Sequence, residues 1–138
     1  MNNSTFVGNS SSNAGSGGGI RINGGSATLR NTIIANSTSG GDCVGVLTGA
    51  NNNLIEANAN ACGLTNGANG NIIQDPQLGT LTGSPAYFPL TAGSPAFNAG
   101  DNGTCAATDQ RGLFRPQSGR CDIGAFELSV ILVPLVTR

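Results

Sequence analysis

Apolar residues in this chain come in short pairs and triplets set between Asn, Gly and Ser, never in long runs at helical spacing. Ser4-Thr5-Phe6-Val7-Gly8-Asn9-Ser10 aligns with Asn31-Thr32-Ile33-Ile34-Ala35-Asn36-Ser37 at an offset of 27. Asn52-Asn53-Leu54-Ile55 repeats the pattern 21 residues later, and Gly70-Asn71-Ile72-Ile73 repeats it 18 after that. Ile20-Arg21-Ile22 and Ala27-Thr28-Leu29, split by Asn23-Gly24-Gly25, supply two further strands. Short strands at a loose period, separated by Gly and Asn, predict a parallel β-solenoid. Gly and Asn tolerate the left-handed backbone that sharp corners need. Inward Ile, Leu and Val then stack into one core, and Asn9, Asn36 and Asn58 are expected to form a hydrogen-bonded ladder. A β-sandwich would show longer and more cleanly alternating strands.

From residue 75 the repeat is lost, and Pro76, Pro85, Pro89, Pro95 and Pro116 follow. Proline cannot donate to a central ladder, so this part reads as loops, turns and edge strands. The expected organisation is one all-β domain, a right-handed parallel β-helix of a few coils over 1–74 with an irregular proline-rich C-terminal cap over 75–127. An apolar tail, 128–138, ends the sequence. Its Val130-Ile131-Leu132-Val133 run falls short of the roughly 20 residues that span a bilayer. An edge strand over the cap and a sorting tail are both open readings of it. The first strand begins at Ser4 with little before it to cover its edge. Further β-helix coils on the N-terminal side, or edge-to-edge self-association, are therefore expected.

Composition narrows the functional classes. Of 138 residues, 22 are Gly and 9% are charged, with a net charge of -1 and neither Lys nor His. Without His there is no Ser-His triad, no Cys-His dyad and no common zinc site. Near-neutral charge argues against nucleic acid, which is bound by a basic surface. An apolar fraction of 38% argues against a disordered linker. The cysteines, Cys43, Cys62, Cys105 and Cys121, show no CxxC spacing. An even count in such a chain reads as two disulfides in an oxidising compartment, extracellular or at the cell surface. Sequence neighbourhood favours Cys43–Cys62 and Cys105–Cys121 among three possible pairings.

The second half resembles the C-terminal part of secreted bacterial right-handed parallel β-helix proteins, those described as choice-of-anchor proteins within the pectin-lyase-like fold. The resemblance is carried by Asp75-Pro76-Gln77-Leu78-Gly79, Gly93-Ser94-Pro95-Ala96, Ala99-Gly100-Asp101-Asn102, Thr108-Asp109-Gln110-Arg111-Gly112, Arg115-Pro116 and Cys121-Asp122-Ile123-Gly124-Ala125-Phe126-Glu127. Leu29 to Asn36 looks like a coil of the same family. Two departures stand out: the Gly83 to Leu90 segment lacks the family's customary His, and Asn98 stands where an acidic residue is common. The resemblance implies a fold and a surface location, and no shared catalytic activity.

Candidate chemistry centres on the carboxylates Asp75, Asp101, Asp109, Asp122 and Glu127 beside Arg111, Arg115 and Arg120. Solenoid glycosidases work with paired carboxylates, but such residues stand on the coils, and here the coils are nearly uncharged. Calcium binding is weighed and ranked below a structural role. The preferred reading has these residues holding cap loops, with Asp109–Arg111 and Asp122–Arg115 as ion pairs. Catalytic residues, metal ligands and cofactor are therefore given as none. Aromatics are few for a sugar platform: Phe114 and Phe126 are expected to be buried, and Tyr87 and Phe88 alone make a weak case for one. The expected function is a non-catalytic structural or adhesive module, with polysaccharide or cell-surface components as partners. The alternative is the C-terminal end of a polysaccharide-active enzyme whose catalytic coils lie upstream.

Overall fold

A computed structural model describes residues 1–13, 15–56 and 61–129; Asn58 and the tail residues 130–138 lie outside the described residues. The described residues are strand-built and nearly free of helix. Their strands are β1 (Thr5–Val7), β2 (Ile20–Arg21), β3 (Thr28–Arg30), β4 (Ile33–Ala35), β5 (Cys43–Val44), β6 (Gly49–Asn51), β7 (Leu54–Ile55) and β8 (Ile72–Ile73). One 3-10 turn, Ala68–Gly70, precedes β8. Every pairing among these eight strands is parallel. One sheet has the order β1-β4-β7-β8, while β2 pairs with β5 and β3 with β6. The chain thus visits the three sheets in turn, β1 to β2 to β3, and then repeats the order from β4 to β6. A parallel bridge from Cys43 to Ala61 extends the second sheet.

Register follows the backbone at the corners. Ile33 lies opposite Leu54, and Leu54 opposite Ile72, which are the expected offsets of 21 and 18. The first offset is 28 and not 27, because Phe6 lies opposite Ile34. Continuing one residue beyond Val7 and Ala35 brings Gly8 beside Asn36, and both are left-handed, with φ of 69° and 55°. Asn3, Asn31, Asn52 and Gly70 form a second left-handed column just before the strands, with φ of 44°, 48°, 52° and 70°. A one-residue slip would put these conformations on residues that resist them and turn every side chain to the wrong face.

The apolar pairs exist because the long sheet is covered on both faces. Ile34 and Ile55 point into an inner core with Leu29, Cys43, Leu47 and Cys62, and Phe6, Ile20 and Ile22 pack against it. Ile33 and Leu54 point the other way, into a second core with Leu90, Ala96, Ile123 and Phe126. All four strand residues are at most 1% exposed. Each such burial stabilises by about 1.5–3 kcal/mol. The C-terminal segment therefore lies along the outer face of the long sheet. It reaches back to the first strand, where the Ala125 N–H donates to Thr5 Oγ1 at 2.9 Å.

Disulfides join Cys43 to Cys62 and Cys105 to Cys121. The first ties β5 to the segment stacked on it within the inner core, and the second ties two limbs of the C-terminal segment. Loops of 19 and 16 residues correspond to about 3 kcal/mol of stabilisation each in the chain-entropy description.

Candidate functional site

The structure brings Asp109, Arg111, Arg115, Asp122 and Glu127 into one knot within the C-terminal segment, buried except at Arg111, and leaves Asp75 and Asp101 outside it. Asp109 Oδ1 accepts from the Arg111 N–H at 2.8 Å and the Leu113 N–H at 3.1 Å. Its Oδ2 accepts from Arg111 Nε at 2.8 Å and the Glu127 N–H at 3.1 Å. Burial raises this carboxyl, but the donors, Arg111 foremost, outweigh it and hold the group below its usual range. The Asp109–Arg111 ion pair measures 2.7 Å. The Arg111 guanidinium also lies 3.8 Å from the centre of the Phe126 ring, which stacks on Tyr87.

The second expected pair is different. The Arg115 side chain, with no exposed surface, pairs with Glu127 at 3.1 Å, and Asp122 offers it only a backbone carbonyl at 3.0 Å. Glu127 also accepts from the N–H groups of Gln117 and Asp122, at 2.8 and 3.0 Å. The Asp122 carboxylate turns instead to the N–H groups of Asn98 and Leu128, at 2.7 and 2.6 Å. Burial pushes the Asp122 carboxyl up to about 6, against the pull of those two donors. The same burial lowers Arg115, against Glu127 and the two aspartates. Chain direction explains the exchange: Asp122 and Glu127 lie on one tight loop, and Arg115 reaches through it to the Asp122 and Gly124 carbonyls.

Asp101 and Asp75 serve as turn formers. Asp101 Oδ1 accepts from the Gly103 N–H at 3.0 Å and Oδ2 from the Thr104 hydroxyl at 3.0 Å. Asp75 Oδ1 accepts from the Gln77 N–H at 2.7 Å. Arg120 Nε donates to the Gly100 carbonyl at 2.8 Å. Among the described residues no cluster of His, Cys, Asp or Glu is arranged to hold a metal ion. In the knot each carboxylate oxygen meets at least one donor of the chain itself, which leaves this arrangement fitted to fastening loops.

Two sets of asparagines that the sequence reading did not single out complete the fastening. In the left-handed column, Asn3 Oδ1 accepts from the Ala106 N–H at 2.8 Å. Asn31 exchanges hydrogen bonds with the Asp101 backbone, at 2.7 and 3.2 Å, and Asn52 donates to the Ala99 carbonyl at 2.9 Å. Three successive corners thus stitch the segment 99–106 to the starts of β1, β4 and β7. One residue further on stands the internal ladder. Asn53 Oδ1 accepts from the Thr32 N–H at 3.1 Å, and Asn71 Oδ1 accepts from the Asn53 N–H at 3.0 Å. Asn9 and Asn36 are exposed and form no such ladder. The available signal was position, since Asn31 and Asn52 sit two places, and Asn53 and Asn71 one place, before an apolar pair.

Outside the knot a cleft of about 290 Å³ lies between β1 and the turn at 81–88, lined by uncharged residues that include Leu81, Tyr87, Phe88 and Gln110. Phe126 is buried, but Phe114 is 74% exposed, against expectation; Thr108 and Phe114 bridge across a surface turn that leaves its ring outside. Among the described residues no helix is long and apolar enough to cross a membrane. No family model, curated protein or solved structure matches the chain.

Proposed function

We propose that the chain is a stretch of right-handed parallel β-helix of the choice-of-anchor type, acting as a non-catalytic structural or adhesive module outside the cell. The three parallel sheets visited in a fixed order support the winding, and parallel crossovers are right-handed in nearly all proteins. The two disulfides are compatible with an extracellular setting. The observation that carries the non-catalytic reading is the knot, where Asp109, Asp122 and Glu127 are consumed by backbone N–H groups and Arg side chains. A paired-carboxylate hydrolase needs one acid and one base facing a substrate across an open cleft. Here the carboxylates are buried: Asp109 is 6% exposed, Asp122 0% and Glu127 1%.

The test incubates the chain with insoluble and soluble polysaccharides, pectin and polygalacturonate among them, with and without calcium. Co-sedimentation with at least one insoluble polysaccharide, with no new reducing ends or unsaturated uronides, is expected. Turnover abolished by Asp109→Asn would overturn the non-catalytic reading. Failure to sediment with any of them would overturn polysaccharide adhesion.

A further inference from the structure

The sequence holds four Asn-Gly pairs, at Asn23, Asn66, Asn69 and Asn102. A glycine after asparagine has no Cβ to shield its backbone nitrogen from the neighbouring side-chain amide. Three of the pairs are locked. Asn66 Oδ1 accepts from the Ile73 N–H at 2.8 Å, and the Gly67 N–H donates to the Asn71 carbonyl at 2.7 Å. Asn102 Oδ1 accepts from the Cys121 N–H at 2.8 Å and its Nδ2 donates to the Gly119 carbonyl at 3.1 Å. The Gly103 N–H is held by Asp101 Oδ1 at 3.0 Å. Asn69 lies inside the 3-10 turn, and its carbonyl accepts from the Asn52 N–H at 3.0 Å.

Asn23 is the exception. Neither its amide nor the Gly24 N–H has a hydrogen-bond partner. Residues 23–26 are exposed, and a Cβ on Gly24 or Gly25 would meet nothing within 4 Å. Loop length explains the exposure. Ile20 and Thr28 stand eight positions apart, whereas their partners Cys43 and Gly49 stand six apart. The first corner therefore carries two more residues than the coil stacked on it, and the surplus stands outside the coil. Its base is fixed, because the Ile22 N–H donates to the Val44 carbonyl at 2.8 Å. Its tip is two glycines with φ of 82° and 76°, residues with the widest backbone freedom.

We infer that Asn23-Gly24 is a modification site, at which the folded chain selectively converts asparagine to isoaspartate and aspartate. The Gly24 nitrogen gives its proton to hydroxide and attacks Asn23 Cγ. The N–Cγ bond forms, the Cγ–Nδ2 bond breaks, and Nδ2 leaves as ammonia after taking a proton from water. Water then opens the cyclic imide, at Cγ to give aspartate or at the backbone carbonyl to give isoaspartate. No oxidant, reductant or cofactor takes part. The product adds a carboxylate to a stretch, 1–74, whose only charged side chains are Arg21, Arg30, Asp42 and Glu56. Asn23 belongs to neither apolar core, so the sheets keep their packing. The chemistry holds whatever the module's role, so the inference stands apart from the adhesive reading.

The test holds the full chain, disulfides intact, in mildly alkaline buffer and follows each pair by peptide mass spectrometry. Trypsin isolates residues 22–30, which contain this pair alone, and chymotrypsin releases the segments that hold the other three. Electron-transfer fragmentation tells isoaspartate from aspartate. Conversion at Asn23 should run at least about tenfold ahead of each other pair, because their hydrogen bonds and turns must open first. In urea with the disulfides reduced, the four rates should converge to within about threefold, since the folded restraints are gone. Asn23→Gln, whose longer side chain closes the ring poorly, should remove conversion within 22–30 at an unchanged urea midpoint. Equal conversion at Asn23 and any other pair in the folded chain would overturn the inference. So would an Asn23 lead that persists undiminished in urea, because local sequence and not the fold would then select the site.

Discussion

Replacing Asn53 by Ala tests the internal ladder. Asn53 is 1% exposed. Its side chain accepts from the Thr32 N–H at 3.1 Å and donates to the Leu29 carbonyl at 2.9 Å and to Asn71 Oδ1 at 3.1 Å. Alanine removes all three bonds and leaves the buried Thr32 N–H without an acceptor. An unsatisfied buried group costs about 1–3 kcal/mol, and each net hydrogen bond adds about 1. The expected loss is about 3–5 kcal/mol, a large part of the 5–15 kcal/mol typical of a folded domain. Urea denaturation with the disulfides intact measures it, and amide exchange at Thr32 should accelerate in parallel. Asn53→Asp should be no better, because it keeps the acceptor for Thr32 but aims an oxygen at the Leu29 carbonyl. Asn9→Ala, on the exposed column, should stay within about 0.5 kcal/mol. A loss below about 1 kcal/mol for Asn53→Ala, with Thr32 still protected, would refute the reasoning.

Three further outcomes follow from the knot and its surroundings. Arg115→Met leaves Glu127 buried without its cation and should cost about 3–5 kcal/mol in urea; a smaller loss would mean that backbone donors alone hold the carboxylate. Asp122, raised to about 6, binds its proton more tightly folded than unfolded, so stability should rise by up to about 3 kcal/mol as pH falls from 7 to about 4. Asp109 is shifted the other way, and its contribution is lost below about pH 4, so the profile should turn over there; a flat melting temperature from pH 4 to 7 would contradict the Asp122 environment. Gly124→Ala should destabilise the chain in thermal melts, because φ is 102° and a Cβ would stand 2.7 Å from Ile33 Cδ1.

The strand pattern was legible because the strands of the long sheet repeat one physical requirement, an apolar pair after a left-handed corner. The first offset slipped because letters were matched where conformation was conserved along the stack. Asn9 was aligned with Asn36, yet Gly8 is the residue that shares its left-handed backbone. The ladder was misplaced for the same reason: hydrogen-bonding asparagines sit before the strands, where buried N–H groups need acceptors. The cap's position was written in the pairs themselves. A strand with one wet face alternates, whereas Ile33-Ile34 and Leu54-Ile55 announce two buried faces. What covered the outer face was not legible, because the segment 75–128 has no period and its contacts span about a hundred residues of sequence, as from Asn3 to Ala106. The Arg115–Glu127 pairing was hidden likewise, since the two carboxylates carry the same charge and Asp122 is the nearer in sequence.

The central claim is a sheet buried on both faces, with the C-terminal segment lying along its outer side. Methyl NOEs from the adjacent residues Ile33 and Ile34 test it most directly. Ile33 should report only the outer core, with cross-peaks to Gly124 and Phe126, and Ile34 only the inner core, with cross-peaks to Gly19 and Leu29. Shared neighbours for the two side chains, or an Ile33 methyl silent toward residues 90–126, would contradict the account.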